Sequence, residues 1–162
     1  MSLAASQSLR VLVGVALSLG GSSAMAGDQP DAAMIASATR VAAFIESGGA
    51  APLATIFADG DVTIIENFPP YVFAGPDAVA HWSQQMRGHL AGVTSLRHGF
   101  GPAYDFSRTG DEAYFSLPTT WRGVAKGKTF TENGGWAFVL KNQNGEWRVR
   151  AYGWSVTGLS AK

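Results

Sequence analysis

The chain has 162 residues, of which 46% are apolar and 15% charged. That length fits one domain, and that apolar fraction excludes a disordered or collagen-like chain. Twelve basic residues balance twelve acidic ones, so there is no electrostatic footprint for nucleic acid; with no cysteine, a disulfide scaffold, a thiolate metal site and a cysteine nucleophile are all excluded.

The N-terminal stretch reads as targeting. Arg10 precedes an apolar run over residues 11–19, Gly20-Gly21-Ser22-Ser23 breaks it, and Ala24-Met25-Ala26 supplies the small residues of a cleavage site. This is the order of a secretory signal peptide. A membrane span needs about 20 apolar residues, more than this run offers. The expectation is therefore a signal peptide over residues 1–26 and one folded domain over residues 27–162. The expected location is periplasmic or secreted, with no membrane contact after cleavage.

Asp31 is a plausible cap for a first helix, along which Ile35, Ala38, Val41, Ala42 and Ile45 recur at helical spacing. Gly48-Gly49 ends it. A short second helix is expected over residues 52–57, with Pro52 in its first turn. Val62, Thr63, Ile64 and Ile65 read as a strand, being β-branched. Asn67-Phe68-Pro69-Pro70-Tyr71 leaves regular structure, because consecutive prolines cannot feed a ladder. Gly75-Pro76-Asp77 opens a third helix with the stripe Val79, Trp82, Met86 and Leu90, and Gly92 closes it. The pattern then alternates. Strands are expected near 94–106, 112–124, 128–140 and 146–156, separated by glycine-bearing turns. Helices followed by an antiparallel meander give an α+β architecture.

This order resembles the nuclear transport factor 2-like superfamily, and within it the SnoaL-like and ketosteroid-isomerase-like bacterial members. The resemblance spans about residues 31–157. It is carried by Ile56-Phe57-Ala58-Asp59-Gly60-Asp61-Val62-Thr63-Ile64, by Ala74-Gly75-Pro76-Asp77-Ala78-Val79, by Gly110-Asp111-Glu112-Ala113, and by Trp136 with Phe138-Val139-Leu140 and Gly145-Glu146-Trp147-Arg148-Val149. It implies a cone, in which a curved antiparallel sheet wraps a long N-terminal helix accompanied by two further helices. It also implies a pocket at the wide end and dimers formed through the outer sheet face.

The resemblance does not extend to isomerase chemistry. The family's aspartate base falls here on Asn67, whose amide cannot shuttle a proton as a carboxylate does. The oxyanion-hole positions fall on Ala43 or Phe44 and on Trp136 or Ala137, none of which is a suitable donor. Trp82 does match an aromatic wall residue of that pocket.

The remaining candidates come from strand phase. His98 lies between Leu96 and Phe100 on the apolar phase, where it is either an acid–base group or a structural histidine. Glu132 is either a pocket acid or a solvated strand residue. Asn67 and Tyr71 flank the double proline near the expected rim and can orient a polar ligand atom. Trp121 and Trp154 supply ring surface for the core or for a flat, greasy ligand. His81 and His89 sit about 80° apart around the third helix, a poor metal pair. No metal site, cofactor or nucleic-acid partner is expected. The sequence favours a module that binds a small apolar ligand or a protein partner. The alternative is an isomerase- or dehydratase-type enzyme using His98, with Glu132 or Asn67.

Overall fold

The computed structural model describes residues 29–162; the expected signal peptide lies outside them. Helix α1 (Ala32–Glu46) starts at Asp31, whose carboxylate accepts a hydrogen bond from Met34 N at 2.8 Å. Its buried face carries Met34, Ala38, Val41, Ala42, Phe44 and Ile45. The exit is a glycine cap, with Gly49 N donating to Phe44 O at 2.9 Å and Gly48 and Gly49 both at positive φ.

There is one further α-helix among the described residues, not two. Residues 52–57 form no helix. Ile56 N closes a single turn on Leu53 O, and the chain then docks on the last strand through Val149 N to Ile56 O (2.8 Å) and Ala58 N to Val149 O (2.9 Å). Ile56, Phe57 and Ala58 are all buried. Sheet-edge hydrogen bonds satisfy this backbone better than a helix too short to propagate. The second helix, α2 (Ala78–His89), buries Ala78, Trp82, Ser83 and Met86.

Seven strands build one curved, open sheet: β1 (Val62–Ile65), β2 (Val72–Gly75), β3 (Val93–Phe100), β4 (Tyr104–Thr109), β5 (Glu112–Ala125), β6 (Lys128–Gln143) and β7 (Glu146–Ala161). The order is β2-β1-β7-β6-β5-β3, and β4 also pairs with β5. The stretch expected as one strand near 94–106 is split at Gly101-Pro102-Ala103. Both pieces run along the same edge of β5, with Gly101 N donating to Pro118 O. Pro102 has no N–H to continue the ladder. The short edge strand β2 follows directly after the double proline. β1 is inserted parallel to β7, with Ile64 opposite Tyr152.

Register shifts between Asn133 and Gly134 and between Val139 and Leu140 mark bulges in the β6–β7 ladder. Bulges bend a strand and increase its twist, which curls the sheet around the helices. Cross-strand partners share a face, so the register identifies the rows of the concave side. His98, Trp121 and Glu132 form one row, and Leu117, Trp136 and Trp154 form the next. Ile64, Tyr152, Phe138 and Phe115 form a third, beneath α1 and α2. On the convex side a row runs from exposed Ile65 through Gly153, Ala137 and Ser116 to exposed Tyr104. No helix among the described residues is long and apolar enough to cross a membrane.

Candidate functional site

The alternation that buries Val62 and Ile64 carries on to Glu66, one residue past the end of β1. The carboxyl therefore points into the concave side, where only 5% of the residue is exposed. Two donors meet it there. Trp82 Nε1 from α2 donates to Glu66 Oε1 at 2.9 Å, and the Tyr152 hydroxyl from β7 donates to the same oxygen in a short hydrogen bond. Both donors are buried, and their rings pack edge to face at 6.0 Å. Among the described residues no donor reaches Oε2.

This oxygen belongs to a group lining a cavity of about 110 Å³. Glu66, Asn67, His89 and Glu132 are its polar lining, while Phe68, Met86, Leu96, Trp121, Phe130 and Trp154 are among its apolar walls. No lysine or arginine lines it. Small-molecule sites combine mainly apolar walls with a few convergent polar groups.

The electrostatics follow from burial. Desolvation pushes the Glu66 carboxyl from its ordinary 4.5 to about 7; the Tyr152 and Trp82 hydrogen bonds oppose the rise, and the Glu132 charge adds to it. Burial raises the Glu132 carboxyl too, against the pull of the Trp154 indole. Burial, reinforced by the neighbouring Glu66, holds the Tyr152 hydroxyl protonated well past its usual range. His89 stacks on Phe68 at 4.5 Å, and burial lowers its pKa, favouring the neutral ring. Near neutral pH the cavity therefore holds a carboxyl poised between its two states.

The structure brings together four of the residues singled out from sequence: Asn67, Trp121, Glu132 and Trp154 line the cavity. Three others stand elsewhere. Tyr71 is 55% exposed and does not line it, because the turn after the double proline, with Tyr71 at positive φ, throws the ring outward. Trp82 lies behind the wall as a donor to Glu66. His98 is on the concave face but is not part of the lining. Its ring packs against Trp121 at 5.7 Å and Phe100 at 4.5 Å, and its Nδ1 lies 2.7 Å from Glu46 Oε1. The same carboxylate oxygen accepts from His98 N at 2.6 Å, tying the end of α1 to β3.

Glu66, Tyr152 and Glu46 were not singled out from the sequence, and His89 was weighed there only as half of a poor metal pair. Glu66 shares the phase of Val62 and Ile64, and Tyr152 shares that of Trp154. His89 continues the helical face of Trp82 and Met86. No local pattern marks Glu46, which acquires its partner only when β3 packs against α1. Among the described residues no group of three or more histidine or acidic side chains is placed to hold a metal.

No family model matches the sequence, and no match emerges among curated proteins. Comparison with solved structures shows the nuclear transport factor 2-like fold. A nuclear transport factor 2-like superfamily protein from Salmonella enterica shares 16% identity over 76% of this chain and 89% of its own, with TM-score 0.60. A ketosteroid isomerase-like protein from Erwinia carotovora shares 17% over 78% and 95%, with TM-score 0.61. A type 2 hexachlorocyclohexane dehydrochlorinase shares 10% over 80% and 87%, with TM-score 0.66.

Proposed function

We propose that the protein is an exported binding protein whose cone cavity takes a small, largely apolar molecule carrying one polar group. One observation supports this above the others: Glu66, almost wholly buried, presents to an aromatic-lined cavity an oxygen that the fold does not use. A ligand donor entering the cavity would add a hydrogen bond to this oxygen on top of the burial of its apolar body. The test is a fragment titration followed through the indole N–H resonances of Trp121 and Trp154. Bound fragments shift both signals, and Leu96→Phe, which fills the cavity, abolishes the shifts. The reading fails if no fragment moves either signal.

A second reading, a proton-transfer enzyme, draws on the Glu46–His98 pair. A carboxylate on Nδ1 fixes the tautomer and leaves Nε2 as the basic nitrogen, an arrangement used for general base catalysis. Two structural neighbours bear enzyme names, the dehydrochlorinase and the isomerase-like protein. Under this reading a bound carbon acid exchanges its acidic hydrogen with deuterated solvent, and His98→Gln stops the exchange. Exchange that continues unchanged in that variant rules the reading out.

Export and pairing complete the proposal. Expression of the full chain in a bacterium should release from the periplasm a protein beginning at Gly27, as read by mass spectrometry. The convex row from Ile65 to Tyr104, floored by glycine, alanine and serine, offers a smooth surface for a second copy. Light scattering that gives a monomer at high concentration would exclude this dimer.

A further inference from the structure

We propose that the cavity selects a small organic cation, an ammonium group carried on a short apolar body. The proposal rests on the reading of this cavity as a ligand site and names what that site prefers.

The two ionisable acids of the lining favour positive charge, and no basic side chain opposes them. Glu66 arrives from the end of β1 and Glu132 from β6, and the two carboxyls sense each other electrostatically. Trp121, Trp154, Phe68 and Phe130 also line the cavity, and aromatic rings attract cations through their faces. No other lining group opposes this attraction with charge, Asn67 beside Glu66 being a neutral amide. α1 supplies Ile45, β3 supplies Val93 and Leu96, and α2 supplies Met86 and His89, whose ring burial keeps neutral. An anion entering here would meet two carboxyls and no basic group. A neutral molecule would leave their mutual repulsion in place.

A cation changes the balance. An ammonium group beside Glu66 Oε2 and Glu132 lets both acids ionise, and its N–H groups give charge-assisted hydrogen bonds. When Glu66 starts protonated, its proton leaves to solvent as the ammonium enters: carboxylic acid plus ammonium gives the carboxylate–ammonium pair plus a released proton. The cavity is about 110 Å³, smaller than the ~150 Å³ apolar cavity that accepts benzene. A body of roughly five heavy atoms fits such a space.

The test titrates the protein at pH 8 and constant ionic strength with isobutylammonium, isobutanol and isobutyrate, read through the Trp121 and Trp154 indole N–H signals. The expected order is isobutylammonium tighter than isobutanol by about tenfold or more, with no binding of isobutyrate. In Glu132→Gln the amine-to-alcohol ratio should fall at least about threefold. Isobutanol or isobutyrate binding as tightly as the amine overturns the cation preference while leaving the ligand site standing. A ratio unmoved by Glu132→Gln also overturns it. If none of the three probes shifts either indole, the ligand-site reading itself falls.

Discussion

Glu66→Gln is the sharpest probe of the buried carboxyl. Glutamine keeps the size of the side chain and a carbonyl oxygen able to accept from Trp82 and Tyr152, but it cannot ionise. In the native protein the carboxyl titrates near 7 against an ordinary 4.5. Below about pH 4.5 the folded and unfolded chains both hold the proton, and the group is neutral towards stability. Between 4.5 and 7 the unfolded chain releases it while the folded chain retains it, so stability falls as pH rises. Above 7 the loss levels off. At about 1.4 kcal/mol per pH unit, the full loss is about 3 kcal/mol. Urea unfolding of both proteins at pH 4.5, 5.5, 6.5 and 7.5 measures it. The difference between them cancels Glu132, His89 and other titrating groups to first order. The expected result is a wild-type curve that drops by about 3 kcal/mol relative to the variant across this range. Parallel curves would refute the argument, because they would mean that Glu66 ionises as readily folded as unfolded.

Three further outcomes follow from the same geometry. Tyr152→Phe removes one donor while keeping the ring, so the Glu66 titration midpoint, read by carbon NMR of the carboxyl, should rise further above 7 by about one pH unit. Glu46→Ala deletes the acceptor shared by His98 N and Nδ1, and should cost about 1–2 kcal/mol in chemical denaturation, with faster amide exchange at His98. Gly49→Ala should cost about 1–2 kcal/mol in thermal unfolding, because φ is +87° there and an added Cβ would lie 2.4 Å from Arg87 Cγ.

Much of the architecture was legible because its signals are local. Helical spacing located α1, and the glycines at positions 110, 127 and 145, all at positive φ, marked the hairpins between long strands. The misreadings lie where tertiary contacts outrank local pattern. Residues 52–57 look helical until β7 offers them hydrogen-bond partners, and β2, as short as β1 but without its run of β-branched residues, does not announce itself beside two prolines. In the site, strand phase left Glu132 open between pocket and solvent, and Trp121 and Trp154 open between core and ligand surface; the β5–β6–β7 register places all three in the cavity lining. The phase of β1 points to Glu66, but its role depends on Trp82 and Tyr152, donors from α2 and β7 that no local pattern brings beside it. Tyr71 stands outside the lining because a turn at positive φ reverses the facing that its sequence neighbourhood suggests.

The parallel pairing of β1 with β7 also orders events in time. Thr63, Ile64 and Ile65 find their partners at Ala151, Tyr152 and Gly153, close to the end of the chain. Contacts so distant in sequence require closing a long loop before any reward arrives, which slows folding. Glu66 gains its Tyr152 donor in that same step. A chain emerging N-terminus first, from a ribosome or across a membrane, therefore cannot assemble this cavity until its last strand has arrived. Until then the acid remains hydrated, with an ordinary affinity for its proton.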